Sequence, residues 1–183
     1  MSRSWPLKVY KDFILKFQYF FPVGGIMTRA GSGIIIMPDS GDGLSYQRVI
    51  ECQVRPGESG DFWTFRGASL AGEQRHGALG KVARKLDAEL PPGHWNEVVI
   101  RCEGSRITYE LNGRVVNRAD SPEPISGWIG LMNQGSAVHF REIAVAELSP
   151  SAASKQTQGP VRKTAAKTKA KKPGVRRANP RRP

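Results

Sequence analysis

The chain has 183 residues and a formal net charge of +12, which allows one ordinary domain plus a tail and suggests a polyanionic partner. Lys155 to Pro183 holds 11 of the 28 basic residues and no acidic one, which leaves 17 basic against 16 acidic residues elsewhere; the body is near neutral and has no net field to steer it to DNA. No apolar run is long enough to span a membrane. The N-terminus lacks a secretory pattern, so the chain as written is expected in the cytoplasm.

Phe13, Leu15, Phe17, Tyr19 and Phe21 alternate with Ile14, Lys16, Gln18 and Phe20, the period-two signature of a strand. The strand expected over Asp12 to Phe21 ends at Pro22 and Gly24-Gly25. Gly33 to Met37 reads as a short buried strand, followed by a turn-rich loop from Pro38 to Gly43. Val49 to Val54 alternates again, with Ile50, Cys52 and Val54 on one face and Glu51 and Gln53 on the other. Asp61 to Phe65 is the next expected strand. Gly67 to Gly93 is polar and weakly patterned, and predicts a long loop with at most a short helical turn near Ala78 to Leu86.

Trp95 to Glu103 sets Val98, Ile100 and Cys102 on one face. Ile107 to Leu111 and Arg114 to Asn117 flank Asn112-Gly113, a strong two-residue hairpin signal because both turn positions need positive φ. Trp128 to Met132 and Val138 to Leu148 are the last strands. In the latter, Phe140, Ile143 and Val145 break strict alternation and predict a bulge near Arg141-Glu142. Short strands at roughly ten-residue spacing with no convincing helix predict an all-β, two-sheet antiparallel sandwich or jelly roll. It occupies residues 1–148.

From residue 149 aromatics vanish and Ser, Ala, Thr, Lys, Pro and Arg dominate. Residues 149–183 are expected to form a disordered basic tail, because they have too little apolar surface to offset chain entropy. Its flexible cations suit salt-sensitive, sequence-independent binding of an anionic polymer such as nucleic acid; the alternative is an extension with no dedicated partner. Cys52 and Cys102 sit on apolar faces, as buried hydrophobes or, in an oxidising compartment, as a bridge. His76, His94 and His139 do not cluster by spacing, and no metal-ligand spacing such as C-x-x-C is present.

Four segments in order carry a family resemblance: Gly31-Ser32-Gly33-Ile34; Ile50-Glu51-Cys52-Gln53-Val54 with Gly60-Asp61-Phe62-Trp63; Gly93-His94-Trp95-Asn96-Glu97; and Leu111-Asn112-Gly113 with Gly127-Trp128-Ile129-Gly130-Leu131 and Phe140-Arg141-Glu142-Ile143. Together, from about Tyr10 to Leu148, they resemble the 3-keto-disaccharide hydrolases, also described as 3-keto-glucoside lyase/hydratase domains. The resemblance implies a concanavalin A-like lectin/glucanase sandwich and a glucoside-type carbohydrate substrate. Members of the family often reside in the periplasm or are secreted. They usually carry further residues before the strand at Asp12 to Phe21, so the resemblance predicts an open sheet edge and a partly uncovered core here. They commonly have Asn at the position of Gly31 and Gln at that of Met132.

The implied chemistry is removal of the C2 proton beside a C3 keto group, β-elimination of the C1 substituent, and addition of water. It calls for a base, an enolate stabiliser and an acid for the leaving group. Glu51 and Gln53, roughly 7 Å apart on one strand face, are the first catalytic candidates, Glu51 as base or metal ligand and Gln53 as a sugar contact; otherwise both face solvent. Arg141 is a third, to polarise a keto oxygen, unless it pairs with Glu142 or Glu110. Arg29, Asp61, Trp63 and Asn133 are candidate substrate contacts, Trp63 by stacking on a sugar ring, whereas Trp95 is expected to pack. No cofactor is certain, and a divalent metal is compatible with the site. A non-catalytic lectin-like module is the alternative function.

Overall fold

The computed structural model describes residues 8–26, 31–37 and 48–149, and every regular element among them is a β-strand. Arg29 and the basic tail, both singled out by the sequence, lie outside the described residues. The strands are β1 (Tyr10–Lys11), β2 (Phe13–Phe20), β3 (Ser32–Met37), β4 (Val49–Val54), β5 (Phe62–Phe65), β6 (Gln74–His76), β7 (Leu79–Val82), β8 (Trp95–Glu103), β9 (Arg106–Leu111), β10 (Arg114–Asp120), β11 (Ser126–Asn133) and β12 (His139–Glu147). They form a seven-stranded sheet in the order β1-β11-β3-β4-β5-β7-β6 and a five-stranded sheet in the order β10-β9-β8-β2-β12. All pairings are antiparallel.

Alternation decides which side of each sheet is buried. On β2, Phe13, Leu15, Phe17 and Tyr19 face inward; on β8 and β9 so do Val98, Ile100, Cys102, Ile107, Tyr109 and Leu111. From the larger sheet Ile34, Ile36, Ile50, Cys52, Val54 and Phe62 meet them. The two faces touch directly where the Phe62 and Tyr109 rings lie 6.3 Å apart. The Tyr109 hydroxyl donates across the core to the Gln53 carbonyl at 3.3 Å, so one buried bond ties β9 to the strand that carries Glu51. Cys52 and Cys102 are free, buried thiols, and burial pushes both thiols up, away from the reactive thiolate.

A carboxylate braces the loop between β7 and β8. Glu89 accepts from the Tyr19 hydroxyl at 2.7 Å, the Ser59 hydroxyl at 2.6 Å and the Gly57 amide at 2.7 Å. Arg84 stands 3.7 Å away to balance its charge. At the expected Asn112-Gly113 turn both residues have positive φ, 50° and 75°. The Asn112 side chain also accepts from the Glu97 amide and donates to the Ala88 carbonyl, both at 2.8 Å. The β12 register shifts between Arg141 and Ala144, with Glu142 at φ 54°, where the bulge was expected.

One expectation is corrected. Gly67 to Gly93 is not a plain loop, and the turn at Ala78 to Leu86 is not helical: β6 and β7 form a hairpin about Gly77-Ala78 and extend the larger sheet. The hairpin is an edge held by backbone pairing, so only Val82 adds to the core. Gly80 sits where an added Cβ would lie 2.3 Å from both the Thr64 hydroxyl and a Glu73 carboxylate oxygen. At the opposite side of the sandwich, apolar Leu131 on β11 and Ile143 on β12 are about half exposed, 50% and 47%.

Candidate functional site

Pairing register lines up the side chains on the outer face of the seven-stranded sheet. One row crosses it as Gly130, Ile35, Glu51, Trp63 and Lys81, on β11, β3, β4, β5 and β7. A second row holds Met132, Gly33 and Gln53. Two adjoining hollows open over these rows and share Glu51, Phe65 and Gln134. The first, about 340 Å³, adds Ile35, Met37, Val49, Arg66 and Met132. The second, about 190 Å³, adds Gln53, Arg55, Glu58, Trp63 and Leu79.

Glu51 is the floor of both. It is only 3% exposed, and its Oε1 is a buried side-chain oxygen with no hydrogen-bond partner. A buried carboxylate without compensation is costly when charged. Burial accordingly pushes the Glu51 carboxyl up from 4.5 to about 7. Gly33 on the neighbouring strand makes the room: a Cβ there would stand 3.0 Å from Glu51 Oε1 and Cγ and 2.8 Å from the Cys52 carbonyl. Gly31 does the same for Gln53, whose Nε2 would lie 2.3 Å from an added Cβ. Gly31 also has φ 75°, a conformation that a side chain disfavours.

Trp63 lies next to Glu51 across the sheet and half-buried, with the Lys81 ammonium 4.9 Å from its ring centre. Asp61 shares that face but is engaged: Oδ1 accepts from the Arg84 amide at 2.7 Å and Oδ2 pairs with Lys81 at 2.8 Å. It therefore holds the lysine over the indole. Glu51, Gln53, Asp61 and Trp63 are thus brought together on one surface.

Arg141 and Asn133 are not brought to it. Arg141 lies on β12, in the five-stranded sheet, paired with the outward-facing Gln18. Its guanidinium stacks 3.8 Å over Trp95 and donates to Gln18 Oε1 at 2.8 Å, on the far side of the sandwich from Glu51. Asn133 is opposite Ser32, on the face of β11 away from Met132, and its amide closes a turn by donating to the Ser136 carbonyl at 3.1 Å. Sequence reasoning passed over Phe65 and Gln134 as lining residues, whereas Met132, noted there as a departure from the family, does line the first hollow. Alternation on β5 and β11 carries Phe65 and Met132 to the Glu51 face, but which face is hollow depends on Gly31 and Gly33 one strand away. Among the described residues no three His, Cys, Asp or Glu side chains come together to hold a metal ion. Besides Glu51 the lining of the two hollows offers one further carboxylate, Glu58, which is paired with Arg55, and the arginines Arg55 and Arg66, a set that does not fit a divalent cation.

A two-sheet jelly roll with such a hollow on its larger sheet is an architecture shared by lectin-type domains. The chain belongs to the 3-keto-alpha-glucoside-1,2-lyase-like domain family, whose model matches residues 5–146. No curated protein matches it. Among solved structures, it is similar to a candidate glycosyl hydrolase from Parabacteroides distasonis ATCC 8503, with 22% identity over 77% of this chain and 80% of that one and a TM-score of 0.53. It is also similar to the carbohydrate-binding module CBM66 from Bacillus subtilis, with 16% identity, 75% and 76% covered and a TM-score of 0.56. At these identities the likeness establishes a shared fold.

Proposed function

We propose that the outer-face cleft acts on 3-keto-glycosides, with Glu51 as the base that removes the C2 proton. The single observation carrying this reading is Glu51 itself, a residue that lines both hollows and whose Oε1 is buried with no hydrogen-bond partner. A base must be ionised at working pH yet retain affinity for a proton, and a carboxyl near 7 meets both needs. The proton beside a ketone is acidified by the carbonyl, so a carboxylate of that strength suffices. Trp63 offers an aromatic face to the C–H side of a sugar ring. Gln53 and Gln134 carry amide groups that suit hydroxyl or keto oxygens. Water then adds to the unsaturated product.

Incubation of the full chain with a 3-keto-glucoside, followed by mass spectrometry, tests the reading. Consumption by the native chain and none by Glu51→Gln, with the fold intact, is the expected result. Undiminished turnover by that variant removes Glu51 from its role.

The same cleft also serves a second reading, a lectin-like module that binds sugar without cleaving it. Met132, where the family commonly has Gln, favours it by removing a polar group from the cleft wall. Sugar retention without turnover supports that reading.

A further inference from the structure

The outer face of the five-stranded sheet carries a row of rings. Trp95, Phe20 and His139 are direct partners across β8, β2 and β12. They point outward because their neighbours Asn96, Tyr19 and Phe140 point into the sandwich. Trp95 and Phe20 are partly exposed and His139 is exposed. Strand spacing sets consecutive ring centres 5.3 and 5.9 Å apart, close to the length of one pyranose unit. In the next outward row Glu97, Gln18 and Arg141 are partners on the same three strands.

Arg141 joins the two rows. Its guanidinium lies over Trp95 and its Nε donates to Gln18, while the side chain stays 46% exposed. Glu142, 3.8 Å away, faces the same Nε. The four N–H groups on the two terminal nitrogens make no bond to any described residue. A guanidinium already fixed by a ring and an amide has little freedom left to lose on binding. Ring faces beside rigid donors match a ligand that has both C–H faces and hydroxyl oxygens. Glu142 and Glu97 offset the charge of Arg141, so the surface has no net attraction for an anion.

We propose that this surface binds a chain of neutral sugar units, as a second carbohydrate site on the sheet opposite Glu51. The inference rests on the carbohydrate reading of the protein and not on Glu51 as a base. The sugar rings lie along Trp95, Phe20 and His139 with their C–H sides against the aromatic rings. Their hydroxyl oxygens accept from the terminal nitrogens of Arg141, and the Glu97 carboxylate accepts from a hydroxyl in return. An anionic chain meets Glu97 and Glu142 there and is repelled.

The test is calorimetry on the full chain with cellopentaose, laminaripentaose, maltopentaose and isomaltopentaose, and with pentagalacturonate as the anionic probe. At least one neutral pentasaccharide is expected to bind. Arg141→Ala and Phe20→Ser should each weaken that binding about fivefold or more, the worth of one lost contact, and Arg141→Lys should weaken it too, since it keeps the charge without the fork. Arg141 is half exposed, so its variants leave the core untouched. Binding of none of the four, binding unmoved by both Arg141→Ala and Phe20→Ser, or an Arg141-dependent preference for pentagalacturonate overturns the assignment. Turnover of a 3-keto-glucoside is expected to be unchanged in Arg141→Ala, and its loss there also overturns the assignment by returning Arg141 to the cleft. Arg141-dependent sugar binding without turnover in the native chain sinks the Glu51 reading alone and leaves the second site standing.

Discussion

Replacing Glu51 by Gln should make the protein more stable, and only at neutral and alkaline pH. The carboxyl titrates at about 7 in the fold and at 4.5 when exposed. The folded state thus holds its proton over a range in which the unfolded chain has lost it. Stability falls as pH rises through that window, because the native state binds more protons there. Below it both states are protonated and the group contributes nothing. Above it the ionised, buried carboxylate costs the full difference, about 3 kcal/mol at 1.36 kcal/mol per tenfold change in acidity. Gln mimics the protonated acid in size and neutrality, so the variant escapes that cost. Urea unfolding of both proteins at about pH 4 and about pH 8.5 measures it. The expected gain is near zero in acid and up to about 3 kcal/mol in base, and turnover of a 3-keto-glucoside should be lost in the same variant. A difference that does not change with pH refutes the argument, since it would mean that Glu51 titrates alike in both states.

Glu89→Ala should cost about 2–4 kcal/mol, because the buried Tyr19 hydroxyl loses its acceptor together with the Ser59 hydroxyl and the Gly57 amide. Thermal or urea unfolding reads the loss, and a cost below about 1 kcal/mol, the usual worth of one hydrogen bond, speaks against Glu89 as the brace. Deleting the residues after Ser149 should abolish binding to DNA at low salt, because the body is near neutral and the tail carries 11 cations. Gel shift across a salt series checks this, and binding that persists in the truncated chain defeats the assignment to the tail.

Some of this architecture is legible in the amino-acid order and some is not, and the division has a physical basis. Val49–Val54 and Trp95–Glu103 are strands with the bounds their alternation predicts, because one face of each is core and a slip of one residue would invert it. Asn112-Gly113 and the bulge after Arg141 are likewise local chemistry. The β6–β7 hairpin is hidden, since an edge that pairs through backbone needs little hydrophobic pattern. Arg141 illustrates a different loss. Its outward direction can be read from β12, but not the sheet that β12 joins, and β12 joins the sheet away from Glu51. Glu51 and Gln53 are foreseeable as neighbours on one face. That they are buried there is not, for their burial depends on missing side chains across the ladder.

Those missing side chains say what kind of cleft this is. Gly33 and Gly31 open space beside Glu51 and Gln53 by omission, and the hydrogen-bonded ladder around them holds that space at a set depth. The floor is preformed, so a ligand has little chain order to pay for there. Such a cleft can drift to a new ligand by exchanging one strand residue at a time, with no remodelling of the backbone.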